Sequence, residues 1–187
     1  KPWVVLHSEA QGQLNSVIGV LRHSPLPIGH RLQHLVSQGP YRLGLGLKIN
    51  LSRVKQSSVK GNLLFNQDAL HLTKANINLS HVNGELDFTD KAMTGKLLQA
   101  QWLGCPIKVQ VKTVHVAGNK MVDIVNRGQL AWSSILKWAG LPQWNTVLQG
   151  AAWDRVDVGL PYIEKQGMTI EVRSDLQGTR LALPVPF

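Results

Sequence analysis

A chain of 187 residues with 43% hydrophobic content holds enough apolar material for one packed domain, or one slice of a longer repetitive structure, and is not a disordered segment. Its formal net charge of +9 calls for an acidic partner or surface, such as nucleic acid, anionic headgroups or acidic glycans. One cysteine, Cys105, excludes an internal disulfide, and no apolar run or signal peptide marks a membrane span or leader. The opening Lys1-Pro2-Trp3, without an initiator Met, and the abrupt close at Phe187 read as a piece of a longer protein.

In chain order, residues 28–38 place Leu32, Leu35 and Val36 at i, i+3, i+4 and stop at Gly39-Pro40, which predicts a short helix. His30 and His34 on it stand four apart, as two zinc ligands can. No Glu follows His30 and no Cys or nearby carboxylate supplies a third ligand, so no metal is expected.

The next stretch, Tyr41 to Leu51, alternates strictly. Tyr41, Leu43, Leu45, Leu47, Ile49 and Leu51 are apolar or aromatic, while Arg42, Gly44, Gly46, Lys48 and Asn50 are small or polar. Period two predicts a strand with one apolar face, and eleven residues would span roughly 36 Å. Gly44 and Gly46 on the other face leave room for a bend or a close neighbour.

Leu70, Leu72, Ile77 and Leu79 continue the pattern. Asn83-Gly84 then reads as a two-residue type I′ hairpin turn, because that turn needs positive φ at both centres. The turn would set Leu79 opposite Phe88 and His81 opposite Leu86, all four on one face, with Asn78, Ser80, Asp87 and Thr89 on the other. Further on, Ile107, Val109 and Val111 alternate with Lys108, Gln110 and Lys112. A second helix is expected near 133–140, with Ser133 or Ser134 as N-cap and Gly140 and Pro142 as terminators. Alternation returns in "MTIEVRSDL" and "TRLALPV".

A repeat underlies these runs. "GNLLF" at Gly61, "GELDF" at Gly84 and "GQLAW" at Gly128 share the form G-x-L-x-aromatic, with Gly104 and Gly150 as echoes and spacings of 23, 20, 24 and 22 residues. Such a period suits two strands of about eight or nine residues plus two turns, hence a sheet extended hairpin by hairpin. A β-sandwich with coincidental glycine turns is the competing account.

Catalytic chemistry finds no support, and the chain is not expected to be an enzyme or to carry a cofactor. A nucleophile elbow, a P-loop and G-x-G-x-x-G are all missing. Asp87 is turned outward by the expected register, away from any acid/base pairing with Asp90; Asp154 and Asp157 flank an expected turn; Cys105 reads as a structural thiol. Basic residues are scattered, on the face opposite the aliphatics, and aromatics make up only 6%, so nucleic acid is not the expected partner. Six tryptophans, four of them between 132 and 153, suit either a core or an apolar–wet rim.

Several phrases together resemble the AsmA-like envelope proteins, and within them the YhdP-type family. They are "VNGELDFTDKAMTGKLLQAQWLGCPIKVQV", "RGQLAW", "LQGAAWD" and the closing "VRSDLQGTRLALPVPF", over roughly Val59 to Phe187. The resemblance implies an elongated, strongly bent antiparallel sheet forming an open, taco-like groove, here one domain over 1–187. It implies a periplasmic protein, anchored by its parent chain in the inner membrane, that moves phospholipid toward the outer membrane beside neighbouring groove segments of the same chain. Leu43, Leu45, Leu47, Ile49, Leu51, Leu63, Phe65, Leu79, Leu86, Phe88, Ile107, Val109 and Val111 would line the groove. The alternative is a structural scaffold with a filled core.

Overall fold

In the computed structural model the described residues are 2–13, 35–53, 56–116, 119–161 and 168–182. They form an antiparallel sheet whose main path follows the chain. The strands are β1 (Trp3–Gln13), β2 (Leu35–Gln38), β3 (Pro40–Asn50), β4 (Ser58–Leu72), β5 (Ile77–Thr89), β6 (Met93–Trp102), β7 (Cys105–Val116), β8 (Asn119–Ala131), β9 (Leu148–Pro161), β10 (Thr169–Ser174) and β11 (Thr179–Leu181). Nine of them run in the order β1-β3-β4-β5-β6-β7-β8-β9-β10, with β2 added to β4 and β11 to β9. Sheet growth hairpin by hairpin is therefore correct, and the mainly β class with it.

The long alternating stretch forms β3 as expected, one residue earlier than its apolar pattern. The Asn50 side-chain oxygen accepts the N–H groups of Ser52 and Arg53 at 3.0 Å. That local bond turns the chain, so Leu51 leaves the strand and is exposed.

Two expectations fail on particular residues. Leu35–Gln38, the end of the expected helix at 28–38, is strand β2, paired with Ala69–Leu72; the rest of that segment, with His30 and His34, lies outside the described residues. At Leu35 and Val36 the helical spacing gave way to a free backbone edge on β4.

The hairpin at Asn83-Gly84 is also absent, because β5 runs straight through it. Leu79 pairs with Leu70 and Trp102, and Phe88 with Gly61 and Met93. Asn-Gly supplies a mid-strand irregularity instead. His81 has φ of 51° and Gly84 of 131°, and the register shifts on both sides of Asn83. Asn83 holds the distortion: its Oδ1 accepts the Gln67 N–H at 3.0 Å, and its Nδ2 donates to the His81 carbonyl at 2.9 Å. Consequently Val82, not His81, joins Leu79, Leu86 and Phe88 on the buried face, and His81 is exposed. Matching shifts fall between Phe65 and Asp68 in β4 and between Gly95 and Leu98 in β6. They stand beside one another across three strands.

Gly61, Gly84, Gly128 and Gly150 likewise sit inside strands, and only the echo at Gly104 falls in a turn, between β6 and β7. Gly61 faces Phe88 and Gly84 faces Phe65, with Leu63 opposite Leu86 between them. Gly61 leaves space for the Phe88 ring, whereas the space at Gly84 is taken by Leu98 of β6. An added Cβ at Gly61 would stand 2.4 Å from the tip of the Phe88 ring.

Helix α1 (Trp132–Trp138) forms near the expected 133–140 and is ended by Gly140 at φ 75°, but its N-cap is Ala131, with no side-chain capping bond, and Ser133 and Ser134 lie inside the helix. It buries Trp132, Ile135 and Leu136. Trp138 is bolted to the sheet: its indole N–H donates to the Asn76 carbonyl at 3.0 Å, and its ring meets Trp102 edge-on at 5.1 Å.

Candidate functional site

Directly opposed residues of an antiparallel sheet share a face, so the register draws the site. One row crosses nine strands: Ala10, Leu43, Leu63, Leu86, Gly95, Val111, Ile124, Val158, Ile170. At about 4.8 Å per strand it extends roughly 38 Å. It carries no polar side chain.

Of the thirteen residues singled out in the sequence, Leu43, Leu63, Phe65, Leu79, Leu86, Phe88, Ile107, Val109 and Val111 are buried, each below 9% exposure, in one hydrophobic cluster. Leu45 and Leu47 pack partly buried against it, Ile49 is half-buried and Leu51 is outside. Burial falls off toward both ends of the row. At the β1 end Leu6, opposite Leu47, is 49% exposed; at the β10 end Ile170 and Val172 are 39% exposed. The middle of the face touches protein, and its two ends meet solvent.

Five polar side chains are buried among the described residues, Ser37, Asn50, Asp68, Asn126 and Asp154; the last three stand within β4, β8 and β9, and sequence reasoning missed their burial. Asn126 lies between Val109 and Val156; Asp154 lies between Gly128 and Ser174; Asp68 sits opposite Val82. Asp154 and Asp157 lie within β9, not around a turn, and only Asp154 faces inward. The Asn126 side-chain oxygen and both Asp154 carboxylate oxygens have no hydrogen-bond partner of standard geometry among the described residues. Burial pushes the Asp154 carboxyl above its ordinary value, against the opposing pull of the nearby Ser174 hydroxyl, and Asp175 adds to the rise. Ser174 favours the charged form from close by without closing a hydrogen bond of standard geometry. Asp68 is raised for the same main reason, opposed by the N–H of Asn66 at 3.0 Å. Polar residues at alternating positions read as outward-facing; the mid-strand shift at Asp68 reverses that, and nothing in the local sequence marks it.

On the opposite face the basic residues are less scattered than their sequence spacing suggests. Lys108, Arg127, Arg155 and Arg173 are direct cross-strand neighbours on β7, β8, β9 and β10. Arg155 pairs with Asp157 at 2.9 Å and Arg173 with Glu171 at 2.7 Å, which relieves half of the like-charge repulsion. A cleft of about 780 Å³ also lies over Gly44 and Gly46, walled by Glu9, Lys48, Lys60 and Asn62. The tryptophans divide between the two fates: Trp102 and Trp132 are core, whereas Trp3, Trp144 and Trp153 are exposed.

Among the described residues no cluster of His, Cys, Asp and Glu is arranged to hold a metal ion. No helix among them is long and apolar enough to cross a membrane. No curated protein and no solved structure matches the chain. The family model described as YhdP protein matches it over residues 1–187, wider than the stretch that carried the resemblance. An antiparallel sheet with one apolar face, matched along its whole length, makes this chain a member of the YhdP family.

Proposed function

We propose that this chain is a segment of a periplasmic lipid-transfer protein, whose apolar sheet face shelters phospholipid acyl chains passing between the inner and outer membranes. The observation that carries the reading is the nine-strand row: uninterrupted by polar side chains, buried in the middle and open at both ends. An isolated core has no reason to surface at two opposite edges of its sheet. A track that continues into neighbouring segments of the same chain does. Contacts of this kind are non-directional, about 25 cal/mol per Å² of apolar area removed from water, which suits cargo that must slide. No chemistry on the cargo is required, and the reading is of a carrier rather than an enzyme.

A second reading, a filled scaffold, has its own support in the deep burial of Val109, Ile107 and Leu86 against protein. Photocrosslinking decides between them. A benzophenone residue replaces Leu45 or Val109 in the full-length parent protein in living bacteria, with the exposed, opposite-facing Lys48 and Lys108 as controls and phosphate-labelled lipid as the readout. Label at Leu45 and Val109 alone supports the track. A folded, abundant protein without label at any position establishes the scaffold.

A further inference from the structure

Where the apolar face ends beneath α1, a cleft of about 490 Å³ opens between the helix and the β4–β5 and β6–β7 turns. Ser134, Lys137 and Trp138 stand at i, i+3, i+4 on one side of α1, away from the side that buries Trp132, Ile135 and Leu136. Facing them are Asn76 from the β4–β5 turn, Asn78 near the start of β5, Trp102 at the end of β6 and Leu103 from the β6–β7 turn. The lining is thus two-sided in character. Trp102 belongs to the buried apolar face, opposite Leu79; Asn76, Asn78, Ser134 and Lys137 supply amides, a hydroxyl and an ammonium.

None of these four polar side chains forms a hydrogen bond or ion pair among the described residues. Among the described residues no carboxylate lines the cleft. Four uncommitted polar groups, one cationic and none anionic, suit an anion rich in acceptor oxygens. The anchoring of Trp138 to Asn76 and its edge contact with Trp102 hold the two walls together, so the groups need little ordering to bind. The volume lies within the ordinary range for small-ligand pockets.

We propose that this cleft seats the phosphate of an amphiphile's headgroup while its acyl chains lie on the adjoining apolar face. The inference rests on the lipid-track reading, and it fixes one point along that track where the headgroup is held by protein rather than left in water. Phosphate is the recognised chemistry; a lipid headgroup and a soluble phosphate ester are its two sources.

The test uses the full-length parent protein, purified and mixed with vesicles of phosphatidylcholine containing labelled phosphatidylglycerol or labelled diacylglycerol, which lacks phosphate. A benzophenone residue is placed at Leu103 in the cleft or at Leu45 on the apolar face, with and without Lys137→Gln and Ser134→Ala, both exposed or half-exposed sites on the helix. A second arm measures binding of glycerol 3-phosphate alone by calorimetry. The expected result is strong phosphatidylglycerol label at Leu103, weak diacylglycerol label there, and a drop of about tenfold in the former in the double variant, with Leu45 labelled throughout. Equal label from both lipids at Leu103, or label indifferent to the double variant while Leu45 is labelled, overturns the seat and leaves the track standing. No lipid at Leu45, with glycerol 3-phosphate bound by the parent and lost in Lys137→Gln, refutes the track and assigns the cleft to a soluble ester. Silence in both arms overturns both.

Discussion

Replacing Gly61 by alanine puts one methyl group where the structure leaves the least room for it. The new Cβ would lie 2.4 Å from Cζ of Phe88 and 2.8 Å from the carbonyl oxygen of Gly44. Phe88 is 4% exposed, so its ring has nowhere to retreat, and the Gly44 carbonyl belongs to the backbone of β3. Overpacking a buried site costs about 1–3 kcal/mol. Against this, removing a glycine from the unfolded ensemble returns about 0.4–1 kcal/mol. A net loss of about 1–2 kcal/mol remains, which for a chain of this size lowers Tm by about 2–8 °C. Thermal unfolding followed by circular dichroism reads it directly. Shortening the partner with Phe88→Leu makes room for the methyl, so the double variant should be more stable than the sum of the singles by at least about 0.5 kcal/mol. Strict additivity, or a Gly61→Ala chain as stable as its parent, would falsify the cross-strand glycine–phenylalanine pairing.

The buried face of the sheet and the exposed residue just beyond β3 should respond differently to charge. Val109→Asp buries an uncompensated carboxylate and should cost about 3–5 kcal/mol, whereas Leu51→Asp, outside β3, should stay within about 0.5 kcal/mol in a urea titration. Trp138→Phe keeps an aromatic ring against Trp102 but removes the 3.0 Å bond to the Asn76 carbonyl, and should cost about 0.5–1.5 kcal/mol by the same method. Asp154 and Asp68 hold their protons more tightly folded than unfolded, chiefly through burial. Between the ordinary value of 3.8 and the raised one, the native state therefore binds more protons, and stability falls as pH rises through that window. Urea midpoints measured from pH 3.5 to 7 should decline from the acid side, with a shallower decline in Asp154→Asn; a rise with pH would contradict the burial of both groups.

Legibility followed the alternation. Wherever period two ran unbroken, as in β3 and in Ile107 to Val111, the sequence named both the strand and its buried face, because side-chain direction on a strand follows from parity alone. It failed where parity is reset. Asn83-Gly84 permits positive φ, and a turn and a mid-strand irregularity satisfy that preference equally well; only the partner strand decides. Here β4, with its own shift at Phe65–Asp68, decides for the irregularity. The misreading moved His81 onto the buried face and left Val82 off it. The same blindness concealed Asp68, and the cross-strand row of Lys108, Arg127, Arg155 and Arg173, whose members come together only through pairing between strands. The repeat pointed correctly to a sheet that grows strand by strand, but not to what its glycines do: Gly61 clears space for Phe88 on β5, Gly84 for Leu98 on β6 and Gly128 for Ile107 on β7.

Burial of the apolar face does not by itself favour scaffold over track. A leucine packed against protein and one packed against an acyl chain have both left water, each gaining about 25 cal/mol per Å². Exchanging one apolar partner for another is nearly neutral in that term, so a closed face and a lipid-filled face can lie close in free energy. The polar interruptions break the tie. In the closed arrangement Asn126 and Asp154 keep three acceptor atoms buried without a partner among the described residues, and each such group costs about 1–3 kcal/mol. A permanently filled core gains nothing from that cost, since leucine at either position would remove it. A face that opens to admit an amphiphile exposes those acceptors to water or to the cargo's own donors, and recovers the cost on opening. Asp154→Leu should then stabilise the chain against urea while reducing lipid label at Leu45, the pairing of effects that a scaffold cannot produce.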